Sequence, residues 1–211
     1  MTTTAIEADK IHPADEGFSA LEKRRFTANE YLKMAELGVL APNEKLELIN
    51  GEIYKKMSPI GTPHLWCVNR INQLFVTKLS GRAFISPQNP ILLDDYNEPE
   101  PDITVLPLIQ SFERPTAKDA LLIVEVSDST VKADRKVKLP LYASFGIVEV
   151  WLVNLNANQV EVYREPKDNE FRQTFIFDES QFISPLKFPD AQFSVAEILG
   201  SKPLSFLTLE K

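Results

Sequence analysis

Residues 120–146 read "ALLIVEVSDSTVKADRKVKLPLYASFG". Leu121, Leu122, Ile123 and Val124 form a run typical of a strand covered on both faces, and the same strand then carries a carboxylate, Glu125. An ionised carboxylate in such a place is strongly disfavoured unless a cation or several donors meet it. Strand alternation sets Leu121, Ile123, Glu125 and Ser127 on one face, with Leu122, Val124 and Val126 on the other. A helical segment from about Lys132 to Phe145 follows and closes at Gly146, a suitable C-cap.

Upstream, "PDITVLP" (101–107) is a strand that begins at Asp102 and is closed by Pro107. Asp102 shares a face with Thr104 and Leu106. If the two strands are neighbours, Asp102 and Glu125 converge at one end of the sheet and repel unless a cation joins them. Mg²⁺ or Mn²⁺ suits such a pair, because hard cations prefer carboxylate oxygens. The alternative is structural: Glu125 in a buried ion pair with a nearby lysine, and Asp102 capping a strand or turn. On the following helix Val131, Lys138, Tyr142 and Phe145 fall within a sector of roughly 60° at about 100° per residue. Lys138 therefore lies on the apolar side, where its ammonium either snorkels to water or meets the carboxylates.

The rest of the chain places this unit in an α/β domain. "FTANEYLKMAELGVL" (26–40) has the capping-box spacing, Thr27 to Glu30, and predicts a short helix. "EKLELINGEIYKKMS" (44–58) alternates about Asn50-Gly51, the mark of a tight hairpin. "TPHLWCVNRINQLFVTKLS" (62–80) sets Leu65, Val68, Ile71, Leu74, Phe75 and Leu79 at helical intervals. "RAFISPQNPILLDD" (82–95) carries Pro87 and Pro90 and so belongs at an edge or bulge. "VEVWLVNL" and "QVEVYREP" form a second hairpin, and further strand and a short helix end the chain. Residues 1–24 are polar and expected to be disordered, leaving 25–211 as a single domain. The fold expected is a mixed β-sheet flanked by helices, with an extra N-terminal hairpin and extra C-terminal strands.

Composition narrows the function classes. No apolar run approaches the ~20 residues of a spanning helix, and the N-terminus lacks a signal-peptide order, so a cytoplasmic protein without membrane contact is expected. Cys67 is the single cysteine among 211 residues, which rules out an intrachain disulfide and a cysteine-rich zinc site. Seven glycines leave no Gly-rich phosphate loop. A net charge of −7 opposes nucleic-acid binding by bulk attraction. Locally, Lys132, Arg135, Lys136 and Lys138 outnumber Asp134, either as a solvated face or as a phosphate guide.

"EPEPDITVL", "LLIVEVSDST" and "DRKVKLPLYASFGIVEVWLVN" resemble the PD-(D/E)xK restriction-endonuclease-like superfamily, and more narrowly the Uma-two family of endonucleases. The resemblance covers about residues 26–200 and includes Glu47, Gly51 and His64. It implies Asp102 and Glu125 as catalytic metal ligands, with the Val126 carbonyl as a third. The superfamily's lysine would stand at Ser127. In the Uma-two pattern it is displaced onto the next helix, four residues before a tyrosine, which Lys138 and Tyr142 satisfy. Pro140 interrupts that helix, which then either begins near it or is kinked. The activity implied is Mg²⁺-dependent hydrolysis of DNA phosphodiester bonds, Lys138 orienting the attacking water, with Lys132, Arg135 and Lys136 guiding the phosphates and a homodimer as a further implication. His64 (site or structural histidine), Glu47 (extra acid or exposed hairpin residue) and Gln88 are accessory candidates. Trp66 and Trp151 read as core and Glu52 as surface. A non-catalytic descendant of the fold and a metal-free carboxylate-pair glycosidase are the competing classes.

Overall fold

The computed structural model describes residues 22–56, 61–108 and 113–205, so the expected tail lies almost wholly outside the described residues. Thr27 and Glu30 cap the first helix, α1 (Ala28–Glu36), reciprocally: Glu30 N donates to Thr27 Oγ1 at 3.2 Å and Thr27 N to Glu30 Oε2 at 3.0 Å. β1 (Leu46–Ile49) and β2 (Glu52–Lys55) pair in antiparallel fashion around Asn50 and Gly51, whose φ values of 53° and 75° suit a two-residue turn. Gly51 is tightly enclosed. A Cβ there would sit 2.6 Å from the Arg25 Cβ.

α2 (Thr62–Lys78) packs on a six-stranded sheet with the order β3-β4-β5-β6-β7-β8. These strands are β3 (Phe84–Pro87), β4 (Ile103–Leu106), β5 (Leu122–Ser127), β6 (Glu149–Asn154), β7 (Gln159–Lys167) and β8 (Glu170–Asp178). β3 is an edge strand, where Pro87 leaves no ladder partner unmet on its outer side. β5 and β6 run parallel; every other neighbouring pair is antiparallel. β9 (Phe182–Ile183), β10 (Phe193–Ser194) and the short α5 (Val195–Leu199) complete the layer beside α2.

The two faces of β5 bury different partners. Leu122, Val124 and Val126 pack with Ile71, Leu74 and Phe75 of α2, where Phe75, Trp151 and Phe193 meet edge to face at centroid distances of 4.7–6.0 Å. Ile123 packs on the opposite face with Leu139, Tyr142 and Ile147. Trp151 is a core residue as expected, but Trp66 is 62% exposed and Leu65 46% exposed. The inward stripe of α2 runs through His64, Cys67, Val68, Ile71, Leu74 and Phe75, and in this phase positions 65 and 66 fall outside it.

After residues 128–130, the crossover from β5 to β6 is helical: α3 (Val131–Ala133), a π turn (Asp134–Lys138) and α4 (Leu139–Ser144). The Leu139 N–H donates five residues back, to Asp134 O, so the wide turn ends just before Pro140, which has no N–H to contribute. The α-helical stretch α4 begins at Leu139 with Pro140 in its first turn, one of the two arrangements expected, and a π turn joins it to α3. Gly146 closes the helix with φ 73°.

Because Gly51 combines positive φ with close enclosure, Gly51→Ala is expected to lose clearly more stability than Gly81→Ala, whose φ is 69° but whose Cβ would meet nothing within 4 Å. The second variant should lose about 1 kcal/mol; equal urea midpoints for the two would show that the Arg25 contact is unimportant.

Candidate active site

One step beyond the Ile103↔Val124 pair, at the end of the β4–β5 ladder, stand Asp102 and Glu125. Both are 4% exposed, and both line a cavity of about 760 Å³ together with Val126, His64, Gln88 and Lys138. Asp102 Oδ2 accepts the Val126 N–H at 2.8 Å and lies 3.2 Å from His64 Nε2. Glu125 Oε1 accepts from Lys138 Nζ at 3.0 Å and from the Tyr142 hydroxyl at 2.6 Å. Lys138 Nζ also donates to Glu47 Oε1 at 2.9 Å. One ammonium thus joins the hairpin, the central strand and the crossover helix.

Glu47 is buried and held by the Glu100 N–H at 3.0 Å and Lys56 Nζ at 3.3 Å; it does not line the cavity. Gln88, at φ 49°, lines the cavity and donates its backbone N–H to Asp102 O at 3.0 Å. Ser127 is fully buried behind the site, its hydroxyl 3.0 Å from Thr130 Oγ1, which donates to Asp134. The basic segment divides. Lys132 lines the cavity, Arg135 is clamped on Glu161 through Nε at 3.0 Å and a second guanidinium nitrogen, and Lys136 is exposed away from the lining. The lining also includes Lys45, Lys55, Lys56 and Asp134, which sequence patterning did not single out.

Burial pushes the Glu125 carboxyl up to about 7; Lys138 pulls against this, while the Asp102 and Asp134 charges push further. Burial opposes the Lys138 ammonium, yet the carboxylates of Glu125, Glu47 and Asp134 hold its pKa well above the usual lysine value. Burial likewise works against an ionised Asp102, but the His64 hydrogen bond and charge, Lys56 and the Val126 N–H together keep it below its ordinary value. His64 is raised: desolvation lowers it, and the Asp102 bond and charge outweigh that. Its Nδ1 is buried without a partner among the described residues.

The fit of a divalent ion can be judged from the oxygens left over. Among the described residues, Asp102 Oδ1 and Glu125 Oε2 have no hydrogen-bond partner, while their sister oxygens are fully engaged. No group of three or more His, Cys, Asp or Glu side chains among the described residues is arranged to hold a metal. Two carboxylate oxygens beside an open cavity match the sparse protein shell of Mg²⁺, which keeps waters and takes substrate phosphates, rather than a closed Ca²⁺ or Zn²⁺ cage.

Glu125 and His64 bind protons more tightly in the folded chain than in the unfolded one, so the metal-free native state holds extra protons between pH 5 and 8. Stability should fall as pH rises through that window. The Glu125 share, on the order of 2–3 kcal/mol, is complete below its unfolded value of 4.5 and lost as pH climbs through about 7. Urea midpoints in EDTA at pH 5 to 8 should show this decline, flattened in Glu125→Gln; a parallel decline in the variant would assign the effect elsewhere.

The family profile described as "Putative restriction endonuclease", Uma2, matches residues 28–196. A crystal structure from Anabaena variabilis ATCC 29413, described as a putative nuclease belonging to DUF820, superposes with a TM-score of 0.65 at 18% identity, covering 83% of this chain and 98% of that one. At that identity the likeness speaks for the fold, a nuclease-type mixed sheet with flanking helices. No functionally curated protein matches the chain. No helix among the described residues is long and apolar enough to cross a membrane. With the family profile spanning most of the sequence, including both carboxylates, Lys138 and the hairpin, the chain belongs to the Uma2 family of putative restriction endonucleases.

Proposed function

We propose that this protein is a divalent-metal-dependent endonuclease of the PD-(D/E)xK type that hydrolyses DNA phosphodiester bonds. The observation that carries the reading is the convergence of Asp102, Glu125 and Lys138 from separate elements on one cavity, with one free oxygen left on each acid. Those two oxygens, with the Val126 carbonyl that the family resemblance adds, would hold a Mg²⁺ or Mn²⁺ ion. Bound there, the ion would supply Lewis-acid activation of water and phosphate.

The protein's own groups prepare that chemistry. The Val126 N–H and His64 fix the orientation of Asp102, so its free oxygen needs no reorganisation to bind a cation. Lys138 and Tyr142 do the same for Glu125. An ammonium carries three N–H donors, and Lys138 spends two on Glu47 and Glu125. The third is available to a phosphoryl oxygen whose charge grows in the transition state, or to the attacking water. Glu47, behind Lys138, acts as a positioning residue: its carboxylate keeps the ammonium charged and stops it from folding entirely onto Glu125. The single cysteine, Cys67, is buried and unpaired, as suits a reducing cytoplasmic setting.

Supercoiled plasmid incubated with Mg²⁺ or Mn²⁺ should be nicked or linearised, with no reaction in EDTA. Asp102→Asn and Glu125→Gln should each lower the rate by at least about 10²-fold and weaken Mn²⁺ binding in calorimetry. Plasmid, linear duplex, single strands and RNA all left intact by wild type would reject the reading.

Lys138→Met should lower kcat by a similar factor while changing Mn²⁺ affinity only a few-fold, since it holds a donor rather than a metal ligand. Glu47→Gln should have a smaller effect, roughly tenfold on kcat, with the pH–rate profile displaced. Equal losses of turnover and metal affinity in Lys138→Met would mean that its role is structural.

A further inference from the structure

Five lysines line the cavity against four carboxylates, in a chain whose net charge is −7. Lys45 immediately precedes β1, and its carbonyl accepts the Lys56 N–H at 3.0 Å, so Lys45, Lys55 and Lys56 lie together at the open end of the hairpin. All three line the cavity, and so does Lys132 of α3, on a separate element. Their circumstances differ. Lys56 is turned inward, to Glu100 O at 2.7 Å and to Glu47. Lys55 makes a largely exposed pair with Glu44 at 2.8 Å, which solvent screens. The side chains of Lys45, half-buried, and Lys132, exposed, have no ion-pair or hydrogen-bond partner among the described residues.

We propose that the open end of the β1–β2 hairpin and the start of α3 form two jaws that grip the sugar–phosphate backbone of a nucleic-acid strand, with Lys45 and Lys132 as its phosphate contacts. This rests on the nuclease reading and adds to it the residues that hold the polymer. Lys45 is half-buried with the Glu100 charge near it but beyond ion-pair distance, and Lys132 is exposed; two ammonium groups from different elements on one cavity, neither in a close ion pair, suit a chain of anions better than a single one. A lone phosphate can satisfy one jaw; consecutive phosphates of a strand can satisfy both. The jaws also answer an electrostatic difficulty of the site, since Asp102, Glu125 and Asp134 repel the very phosphate that must approach them. Arg135, which lies in the same basic segment as Lys132, is committed to Glu161 and takes no part.

The test separates binding from cleavage. Fluorescence anisotropy in EDTA with labelled single-stranded and duplex DNA of about 20 nucleotides, across about 50 to 200 mM KCl, gives affinity and its salt slope. The variant Lys45→Ala/Lys132→Ala should lose at least about fivefold in affinity at the middle of that range, and its slope of log K against log salt should become shallower by about 1.5. Lys45→Arg/Lys132→Arg should retain both. Lys118→Ala/Lys187→Ala, which removes the same charge from exposed positions outside the cavity lining, should behave as wild type. Whichever oligomer shows the lysine-dependent loss identifies the strand form. An unchanged slope, an equal loss in the control pair, or no binding of either oligomer by wild type overturns the proposal. Cleavage in Mg²⁺ is read separately: metal-dependent cleavage with a flat lysine result rejects only the jaws, and lysine-dependent binding without cleavage rejects only the catalytic reading.

Discussion

The bridge in which Lys138 spans Glu47 and Glu125 is the contact on which the site depends, because it is made by side chains from three elements that share no local sequence. Buried ion pairs seldom add stability over apolar residues of the same volume, whereas losing one member leaves a charge stranded in low dielectric. A fold with no use for these groups could fill the space with aliphatic side chains, as it does on the other face of β5, where Leu122, Val124 and Val126 meet α2. Two acids, a lysine and a buried tyrosine kept on the Glu125 face are not accounted for by stability, and the proposed nuclease chemistry gives them a use.

Topology is what brings Lys138 there. β5 and β6 are the single parallel pair in the large sheet, and a parallel pair requires a crossover long enough to return the chain to the same end. The crossover here is helical and covers the face of β5 that carries Ile123 and Glu125. The π turn at Asp134–Lys138 widens the helix just before Pro140, and the clamp between Arg135 and Glu161 on β7 fixes that turn against the sheet. Lys138 and Tyr142, four residues apart, reach the same carboxylate oxygen from consecutive turns. Wide turns of this kind recur at functional sites because they re-aim a side chain without ending the helix.

Much of this was legible before the coordinates. A carboxylate in an apolar strand, a second acid at the start of a neighbouring one and a lysine on the inward side of the next helix are local patterns, and alternation and helical phase were enough to relate them. The Asn50-Gly51 turn and the Thr27 cap were equally local. What escaped was set by tertiary contact. Apolar spacing alone sets Leu65 and Trp66 inward at the start of α2, whereas both are exposed there and His64 holds the inward position beside Asp102. Nothing in the spacing of Glu47 shows that it lies behind Lys138 rather than in the cavity. Arg135 and Lys132 look alike in sequence; only the position of Glu161, 26 residues away, separates a structural arginine from a free lysine.

Net charge is a poor guide to such a protein because the relevant field is local. With solvent screening over about 8–10 Å, a phosphate at the cavity responds to the lysines and acids that line it and hardly to the acidic surface elsewhere. Among the residues that line it the charges nearly balance, with Asp102, Glu125, Asp128 and Asp134 against Lys45, Lys55, Lys56, Lys132 and Lys138. Their distribution is uneven, however. Lys56 and Lys138 are already bound to buried carboxylates, so the centre of the site is short of positive charge while Lys45 and Lys132 keep theirs unpaired. A phosphate alone would relieve the lysines and aggravate the acids, and a divalent cation alone would do the reverse. On the proposed nuclease reading, a cation and a polyanion together would satisfy both sets, so metal and substrate binding would reinforce each other through the ordinary reciprocity of linked equilibria.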